Sequence, residues 1–255
     1  MTVRLITLNL RFGLADDGAN RWDCRKNLVG RLLDRFPADF YAFQEANDFQ
    51  IDFLKSRLPG FRCIGQRIPA PAFWQNTILF HNPDWQCEIS DHFFLSPTPD
   101  IPSRFPDSAW PRQCTLGRFT YHRRRLWVAT SHFDFEPAVQ EASAGILLDR
   151  LRDVPAEEPV LLAGDFNTGP DSVCHRMLTT GPDGFQNLFP APHPNTFHGF
   201  GENGSPGHID WILFRGPLVP IHRRVITERV DGRYPSDHFP LYGVFSMEDT
   251  APSRN

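Results

Sequence analysis

Apolar residues along the chain recur at two spacings, one typical of helices and one typical of strands. Leu28, Leu32 and Phe36 repeat at helical spacing and are followed by Pro37, which predicts a helix over 22–36. The same pattern predicts further helices over 48–58, 137–154 and 171–178. Short runs rich in β-branched and large apolar residues predict strands over 3–8, 39–43, 77–80, 116–121, 126–131, 159–163, 209–214, 218–226 and 239–245.

Helices alternate with strands along much of the chain, yet some strands follow one another directly. The runs 116–121 and 126–131 are separated by a short basic segment, 123–125, so we expect a hairpin with a solvated, charged tip. This mixture indicates an α/β fold in which mixed sheets are covered by helices. No linker or repeat of fixed period interrupts the pattern. We therefore expect a single domain over 1–247 and a polar, flexible C-terminal tail over 248–255.

The composition is that of an ordinary globular protein and excludes few functions. The 255 residues carry a net charge of −4, which argues against binding nucleic acid through bulk charge but allows a local basic patch. The five cysteines are scattered and form no C-x-x-C pair, so we expect reduced thiols in a cytoplasmic protein. We also expect no secretory signal, no membrane span and no obligate protein partner, because the corresponding patterns are missing from the sequence.

Polar clusters stand at the ends of the predicted strands, where a hydrophobic core has no use for them. They are Leu8-Asn9, Gln44-Glu45, Ser131-His132-Phe133-Asp134, Gly164-Asp165-Phe166-Asn167, His208-Ile209-Asp210 and Pro235-Ser236-Asp237-His238. Each cluster alone could be a turn, a helix cap or a buried polar residue. Because loops at strand ends build the ligand sites of α/β folds, the clusters together predict one shared rim.

The side chains in these clusters suit phosphoester chemistry that depends on a divalent metal ion. Carboxylate and amide oxygens are ligands for hard cations such as Mg²⁺ or Mn²⁺. The motifs of zinc sites, of a phosphate-binding P-loop and of a serine nucleophile elbow are missing from the sequence. Hydrolysis of a phosphoester needs a metal to neutralise phosphoryl charge, a base for water, and donors for the non-bridging oxygens. The clusters contain candidate ligands for the metal, a candidate base, and candidate donors for the phosphoryl oxygens.

The order of these motifs resembles the endonuclease/exonuclease/phosphatase superfamily, whose fold is that of DNase I. The Gly-Asp-Phe-Asn run at 164–167 and the Ser-Asp-His run at 236–238 are its most specific features, and the resemblance covers nearly the whole chain. Compact bacterial members share further residues with this chain, namely Asn9-Leu10-Arg11, Trp22, Arg25 and Tyr234-Pro235. The resemblance implies a four-layer sandwich of two mixed sheets with helices outside.

The resemblance also implies a metal site built on carboxylates. Glu45 would be the principal ligand of Mg²⁺ or Mn²⁺, with Asn9 and Asp237 close to it. Whether one ion or two are bound stays open, because some descriptions of the superfamily place a second ion near the Gly-Asp-Phe-Asn motif and His238.

Five residues would act on the phosphate and the water, if the resemblance holds. Asp165 would orient or deprotonate the attacking water, while Asn167 and His132 would hold phosphoryl oxygens. His238 would contact the phosphate, and Asp210 would orient its imidazole and keep it charged.

Three positions depart from the pattern of the superfamily. Arg11 stands where some members have an acid, which leaves Glu45 and Asp237 as the main anions of the metal site. His208 and Gln140 stand where bacterial members often have arginine, and we expect both to bear on substrate contacts more than on the chemistry.

Basic and aromatic residues in loops are candidates for the substrate side of the site. Arg112 follows a long, proline-rich loop and offers a planar cation to a phosphate, and the alternative is a surface salt bridge. The other candidates for this rim are Asn76, Trp74, Phe197 and Arg11.

Three functions stay open on the sequence alone. The favoured one is a metal-dependent phosphodiesterase or phosphatase that acts on a phosphorylated small molecule. The first alternative is an endonuclease or exonuclease acting on DNA or RNA, which the acidic net charge disfavours. The second is a binding module that keeps the fold but has lost catalysis. It is the weakest, because nearly all expected polar positions are filled.

Overall fold

Two six-stranded sheets pack face to face in the computed structural model, which describes residues 1–65, 75–201 and 207–247. In chain order the strands are β1 (Thr2–Asn9), β2 (Phe40–Ala46), β3 (Arg62–Ile64), β4 (Asn76–His81), β5 (Gln86–Phe94), β6 (Gln113–Tyr121), β7 (Arg124–His132), β8 (Val160–Asp165), β9 (Gln186–Asn187), β10 (Asp210–Arg215), β11 (Leu218–Val225) and β12 (Leu241–Met247). The first sheet has the order β11-β12-β1-β2-β4-β3, and the second has the order β5-β6-β7-β8-β10-β9.

Helices cover the outer face of each sheet. Within the described ranges the α-helices are α1 (Trp22–Arg35) and α2 (Asp48–Arg57) on the first sheet, and α3 (Pro137–Arg150) and α4 (Val173–Thr179) on the second. Apolar side chains from both sheets, such as Leu5 and Phe119, fill the layer between them. The predicted α/β sandwich of two mixed sheets between helices is confirmed.

Two parallel strand pairs determine where the polar strand ends meet. β1 pairs in parallel with β2 after the α1 crossover, and β7 pairs in parallel with β8 after the α3 crossover. Because parallel strands end at the same edge of a sheet, Asn9 lies beside Gln44, and His132 lies beside Asp165. β10 runs antiparallel to β8, so its first residue, Asp210, pairs with Asp165 at this same edge.

The start of α2 is tied to the loop that follows β1. Asn47 and Gln50 form a capping box, in which each side chain satisfies the backbone N–H of the other residue. The same two side chains also reach the loop: Asn47 Oδ1 accepts the Gly13 N–H over 2.9 Å, and Gln50 Nε2 donates to Arg11 O over 3.1 Å. The helix cap therefore also holds the segment that leads away from Asn9.

The apolar pattern located most elements within a few residues but missed the short strands β3 and β9 and the longer strand β5. This strand lies in the stretch 60–110, for which the sequence predicts one clear strand, at 77–80. β5 is an edge strand, several of its residues are exposed, and its pairing with β6 shifts register between Cys87 and Ile89. Such a bulge interrupts the alternation on which a strand prediction rests.

The basic segment between β6 and β7 is less solvated than the sequence predicts. Arg124 and Arg125 belong to β7 and not to the turn. Arg124 Nη1 donates to Met247 O over 2.8 Å, and Arg125 Nη1 lies 3.2 Å from Glu158 Oε1. The prediction of a solvated tip is therefore wrong for Arg124, which is partly buried, whereas Arg125 is 53% exposed and stays solvated beside its partner.

The remaining sequence-based expectations concern the cysteines, the membrane and the chain terminus. The five cysteines are free thiols, and the cytoplasmic location stays a prediction. Over the part of the chain that the structure describes, no helix has the length and apolar character needed to cross a bilayer. The segment 248–255 lies outside the described residues, so its flexibility and the domain boundary at 247 also stay predictions.

Gly164 allows β7 and β8 to approach each other next to Asp165. Its φ is +149°, and a Cβ added there would lie 2.0 Å from Ser131 O on the neighbouring strand. We expect Gly164→Ala to lower the free energy of unfolding by about 2–4 kcal/mol, because the obstructing atom belongs to the backbone. Urea denaturation followed by circular dichroism measures this loss.

Gly145→Ala in α3 is the matched control, since nothing lies within 4 Å of an added Cβ there. This variant should be neutral or more stable by about 0.5–1 kcal/mol. Equal stability of the two variants would contradict the role assigned to Gly164.

Candidate active site

Polar ends of strands from both sheets lie together at one edge of the sandwich. Asn9 ends β1 and Glu45 lies next to the end of β2, while His132 ends β7 and Asp165 ends β8. Asp210 begins β10, which runs in the opposite direction. The hydrogen bond from Asn9 to Asp165 and the approach of His132 to Glu45 connect the two sheets.

Asn9 joins the two sheets through its side-chain amide. Its Nδ2 donates to Asp165 Oδ2 over 2.9 Å and to Glu45 Oε1 over 3.2 Å. Its Oδ1 accepts the Arg11 N–H over 2.8 Å. The amide nitrogen is thus a donor between two carboxylates, while the amide oxygen keeps a second lone pair, so the role of Asn9 as a metal ligand stays a prediction.

Glu45 has an uncommon backbone conformation, with a φ of 59°, where the pairing of β2 with β4 shifts register. Its Oε2 accepts the Phe12 N–H, and its side chain is 12% exposed. Asn76, a predicted rim residue, is fully buried and donates to Ala46 O over 3.1 Å. Asn76 therefore supports the backbone that carries Glu45 and does not face the rim.

A buried imidazole links two carboxylates. His238 Nδ1 lies 2.9 Å from Asp210 Oδ2, and its Nε2 lies 3.8 Å from Asp165 Oδ2. Burial by itself lowers the pKa of His238, but the Asp210 and Asp165 carboxylates outweigh this effect and raise the pKa to about 10. The His238 ring is therefore a cation between two acids.

Asp165 lies at the centre of these contacts. Burial and the Asp210 carboxylate raise the pKa of Asp165 to about 7, against the opposing effect of His238. Its Oδ1 accepts the Asn167 N–H over 2.9 Å, and its Oδ2 lies 3.6 Å from His132 Nε2. Together with the bond from Asn9, these contacts hold both carboxylate oxygens in place.

A neutral histidine and a buried arginine lie on the other side of Asp165. His132 Nε2 lies 3.1 Å from Asn167 Nδ2 and 3.0 Å from Arg112 Nη1. Burial and the Arg112 guanidinium lower the pKa of His132 well below its ordinary value, so the ring is uncharged. Arg112 is only 3% exposed, and its Nε lies 3.3 Å from Asp134 Oδ2. The ion pair is buried, unlike the surface salt bridge that the sequence left open as an alternative, and it keeps the guanidinium against His132.

Asp237 faces an arginine on the opposite side of the site. Its Oδ2 lies 3.6 Å from Arg11 Nε, and its Oδ1 accepts the Ser236 hydroxyl over 3.1 Å. The hydrogen bond to Asp17, with further contributions from Asp237 and Glu45, raises the pKa of Arg11 above its ordinary value. The guanidinium is therefore a permanent positive charge beside Asp237.

Two sets of side chains among the described residues offer ligands to a divalent cation. Asp165, Asp210 and His238 each offer one atom within 4.8 Å of the others, which is close enough to share an ion. Glu45 and Asp237 present carboxylate oxygens, which Mg²⁺ and Mn²⁺ prefer to an imidazole nitrogen, and they stay the predicted ligands.

Phe135 is a rim residue that the sequence pattern did not single out. It is 67% exposed, and its ring centroid lies 5.3 Å from the central guanidinium carbon of Arg112. Its signal was an apolar residue directly after the His-x-Asp run. Phe197, which was predicted for the rim, has its ring centroid 4.8 Å from that of His238. Trp74 lies outside the described residues.

Gln140 and His208 hold backbone segments near the site, and their bearing on substrate contacts stays a prediction. Gln140 Nε2 donates to Asp134 O over 2.7 Å and to Asn167 O over 3.0 Å. His208 Nδ1 lies 2.8 Å from Pro194 O, and both side chains are buried. The comparison of these two positions with the arginines of related proteins did not predict the hydrogen bonds to backbone carbonyls.

Arg25 ties together the loops that carry Arg11 and Asp237. Its Nη1 donates to Leu10 O over 2.5 Å and to Pro235 O over 3.1 Å, and its Nη2 donates to Arg11 O over 2.9 Å. The side chain is buried on the inner face of α1. An arginine among the apolar positions of a helix is the signal that could have revealed it.

Comparison with known sequences gives a family and distant relatives. The sequence model of the Endonuclease/Exonuclease/phosphatase family matches residues 6–238. Uncharacterized protein L388 of Acanthamoeba polyphaga mimivirus is 27% identical over 161 residues, covering 58% of this chain and 60% of that protein. The CCR4-Not complex 3'-5'-exoribonuclease subunit Ccr4 of Saccharomyces cerevisiae is 25% identical over 172 residues, covering 49% of this chain and 20% of that protein. The chain thus spans less than two thirds of either relative.

Solved structures share the fold over almost all of the chain. An endonuclease/exonuclease/phosphatase from Bacteroides vulgatus is 23% identical with a TM-score of 0.89, covering 97% of this chain and 100% of its own. The mannosyl-6-phosphatase of Bacteroides thetaiotaomicron VPI-5482 is 21% identical with a TM-score of 0.84, covering 96% and 99%. At these identities, the likeness shows the fold alone.

We expect Arg25→Lys to lower the free energy of unfolding by about 3–5 kcal/mol, since one ammonium group cannot reproduce the fork that donates to four backbone carbonyls. Equilibrium urea unfolding measures the loss. Arg31→Gln in the same helix is the control, because Arg31 makes an exposed ion pair with Asp231. Removing that pair should cost about 0–1 kcal/mol. A loss at Arg25 no larger than at Arg31 would refute the tying role.

Proposed function

The chain belongs to the endonuclease/exonuclease/phosphatase family, and we propose that it is a divalent-metal-dependent phosphoesterase. Members of this family are usually hydrolases that act on phosphoesters. The observation that carries the proposal is the buried network that joins Asn9, Asp165, His238 and Asp210 where the two sheets meet. Burying several ionised groups costs free energy, and such groups concentrate at functional sites.

We assign Asp165 the role of base for the attacking water. Hydrogen bonds from Asn9 Nδ2 and the Asn167 N–H hold its carboxylate in one orientation. Each oxygen still has a lone pair for a proton of the water. A carboxylate that is fixed in this way can orient the water or accept its proton without first rearranging.

We assign His238 the role of charged donor to a phosphoryl oxygen. Asp210 lies 2.9 Å from Nδ1 and stabilises the imidazolium, which leaves the Nε2–H as a donor beside Asp165. The neutral His132 and the Asn167 amide add polar groups on the same side. Donors that are already in place stabilise negative charge that develops on the phosphoryl group.

We assign Glu45 and Asp237 the binding of the divalent ion, which family enzymes commonly use. Each Glu45 oxygen accepts one hydrogen bond, from Asn9 and from the Phe12 N–H. These bonds hold the carboxylate still, while each oxygen keeps a lone pair for a cation. When bound, such an ion supplies positive charge that neutralises the phosphoryl group.

The rim supports a phosphorylated small molecule as substrate. The exposed Phe135 ring offers a flat face to a sugar or a base attached to the phosphate, with Arg112 beneath it. The net charge of −4 favours a small substrate over a long polyanion. The name of the structural neighbour mannosyl-6-phosphatase agrees with a sugar phosphate as one candidate.

A nuclease is the second candidate, because the chain is similar to the exoribonuclease subunit Ccr4. Binding of single-stranded RNA measured over a series of salt concentrations separates the two candidates. A steep loss of affinity with salt would favour the nuclease, since a bound strand releases one counterion for nearly every phosphate contacted. A shallow slope with retained hydrolysis of small phosphoesters would favour the phosphoesterase.

We expect Asp165→Asn to lower kcat for bis(p-nitrophenyl) phosphate by about 10²–10⁴-fold, because asparagine keeps the shape of the side chain but cannot accept the proton of the water. The release of p-nitrophenolate with Mg²⁺ or Mn²⁺ measures the rate. EDTA should abolish it, and added metal should restore it. Asp171→Asn, at an exposed acid, is the control and should match the parent protein. Full activity of Asp165→Asn would refute the mechanism, and indifference to EDTA would refute the metal requirement.

We expect Phe135→Ala to raise KM for p-nitrophenyl phosphate by about 3–10-fold, the value of one aromatic contact. The KM for methyl phosphate should stay nearly unchanged, because a methyl group has no flat face to stack. Phe135→Tyr should restore the KM for the aryl ester, and Ile221→Ala, at another exposed apolar residue, should have no effect. Equal changes in KM for the two esters would exclude the stacking role.

A further inference from the structure

An arginine lies where the two acids assigned to the metal would otherwise face solvent. Arg11 Nε is 3.6 Å from Asp237 Oδ2, and both Asp237 and Glu45 stabilise the charged guanidinium. The Arg11 side chain is 37% exposed, whereas that of Asp237 is 7% exposed. The guanidinium therefore covers the acid from the solvent side.

Several contacts hold Arg11 in this position. Its Nε and Nη2 lie 3.0 and 2.9 Å from the two oxygens of Asp17. Its backbone has a φ of 61°, and its carbonyl accepts bonds from Arg25 and Gln50 over 2.9 and 3.1 Å. The bidentate pair and the fixed backbone together restrict the charge to the neighbourhood of Asp237.

We propose that Arg11 is an internal counter-ion that weakens the binding of a divalent cation to Glu45 and Asp237. The inference rests on the proposed function, since it takes these two carboxylates as the metal ligands. A cation that approaches Asp237 has to share its carboxylate with a guanidinium that cannot leave without breaking the pair with Asp17. Arg11 thus sets the metal concentration at which the site fills.

Coulomb's law gives the size of the effect. A single positive charge at a distance on the order of 6 Å from a divalent ion weakens its binding by about tenfold even in bulk water. The partly buried position of Asp237 lowers the effective permittivity and increases this factor. Removing the charge of Arg11 should therefore tighten metal binding at least tenfold.

Isothermal titration calorimetry with MgCl₂ or MnCl₂ alone tests the proposal without any substrate. Arg11→Gln should bind either metal at least about tenfold more tightly than the parent protein. Arg11→Lys keeps the charge and should stay close to the parent value. Arg123→Gln is the matched charge control, because Arg123 precedes β7 at the end of the strand opposite to His132. It should leave the affinity unchanged.

Unchanged or weaker metal binding by Arg11→Gln would overturn the proposal. If Arg11→Gln does not fold, Arg11→Met decides, because it removes the same charge while keeping an unbranched side chain, and it should also bind metal at least about tenfold more tightly. Unchanged binding by that variant would equally overturn the proposal. If the parent protein binds metal and hydrolyses phosphoesters while these variants show no change, only this inference fails. If neither the parent nor Arg11→Gln binds metal, the assignment of Glu45 and Asp237 fails as well.

Discussion

Four carboxylates at one edge of two sheets repel one another, and the arrangement of the site offsets that repulsion. They belong to Glu45, Asp165, Asp210 and Asp237, of which Asp165 and Asp210 are almost fully buried. An unpaired buried charge costs several kcal/mol, so each carboxylate needs donors or a cation close to it. The groups that meet this need are the Asn9 amide, the His238 imidazolium, the Arg11 guanidinium and the backbone N–H groups of Phe12 and Asn167.

The negative charge of the carboxylates is balanced in different ways in the two halves of the site. On one side, His238 is enclosed between Asp165 and Asp210, which makes a closed unit of two acids and one cation. On the other side, Glu45 has neutral donors, and Asp237 shares its arginine with Asp17. Negative charge is therefore less fully balanced there. The proposed metal site lies on the second side, while the proposed base and the proposed donor to the phosphate lie on the first.

The fold was largely accessible from local patterns, because α1, α2 and most strands carry the apolar spacing that their burial demands. β5 was not accessible, since an exposed edge strand with a bulge between Cys87 and Ile89 has no regular alternation to detect. The partners of Arg124 and Arg125 could not be predicted from the sequence either. Met247 and Glu158 come from distant parts of the chain, and nothing local indicates that they lie beside β7.

The sequence by itself determined which residue types stand at the strand ends, and their order along the chain indicated a phosphoester site. Only the tertiary structure decided which of these residues contact one another. Asn9 bonds to Asp165 across 156 residues of sequence, and Arg25 bonds to Pro235 across 210, so their roles depend on contacts that no local pattern encodes. The same holds for Asn76, which is closed off beneath Glu45. A hydrogen bond depends on distance and direction in space, and these exist only once both sheets have packed.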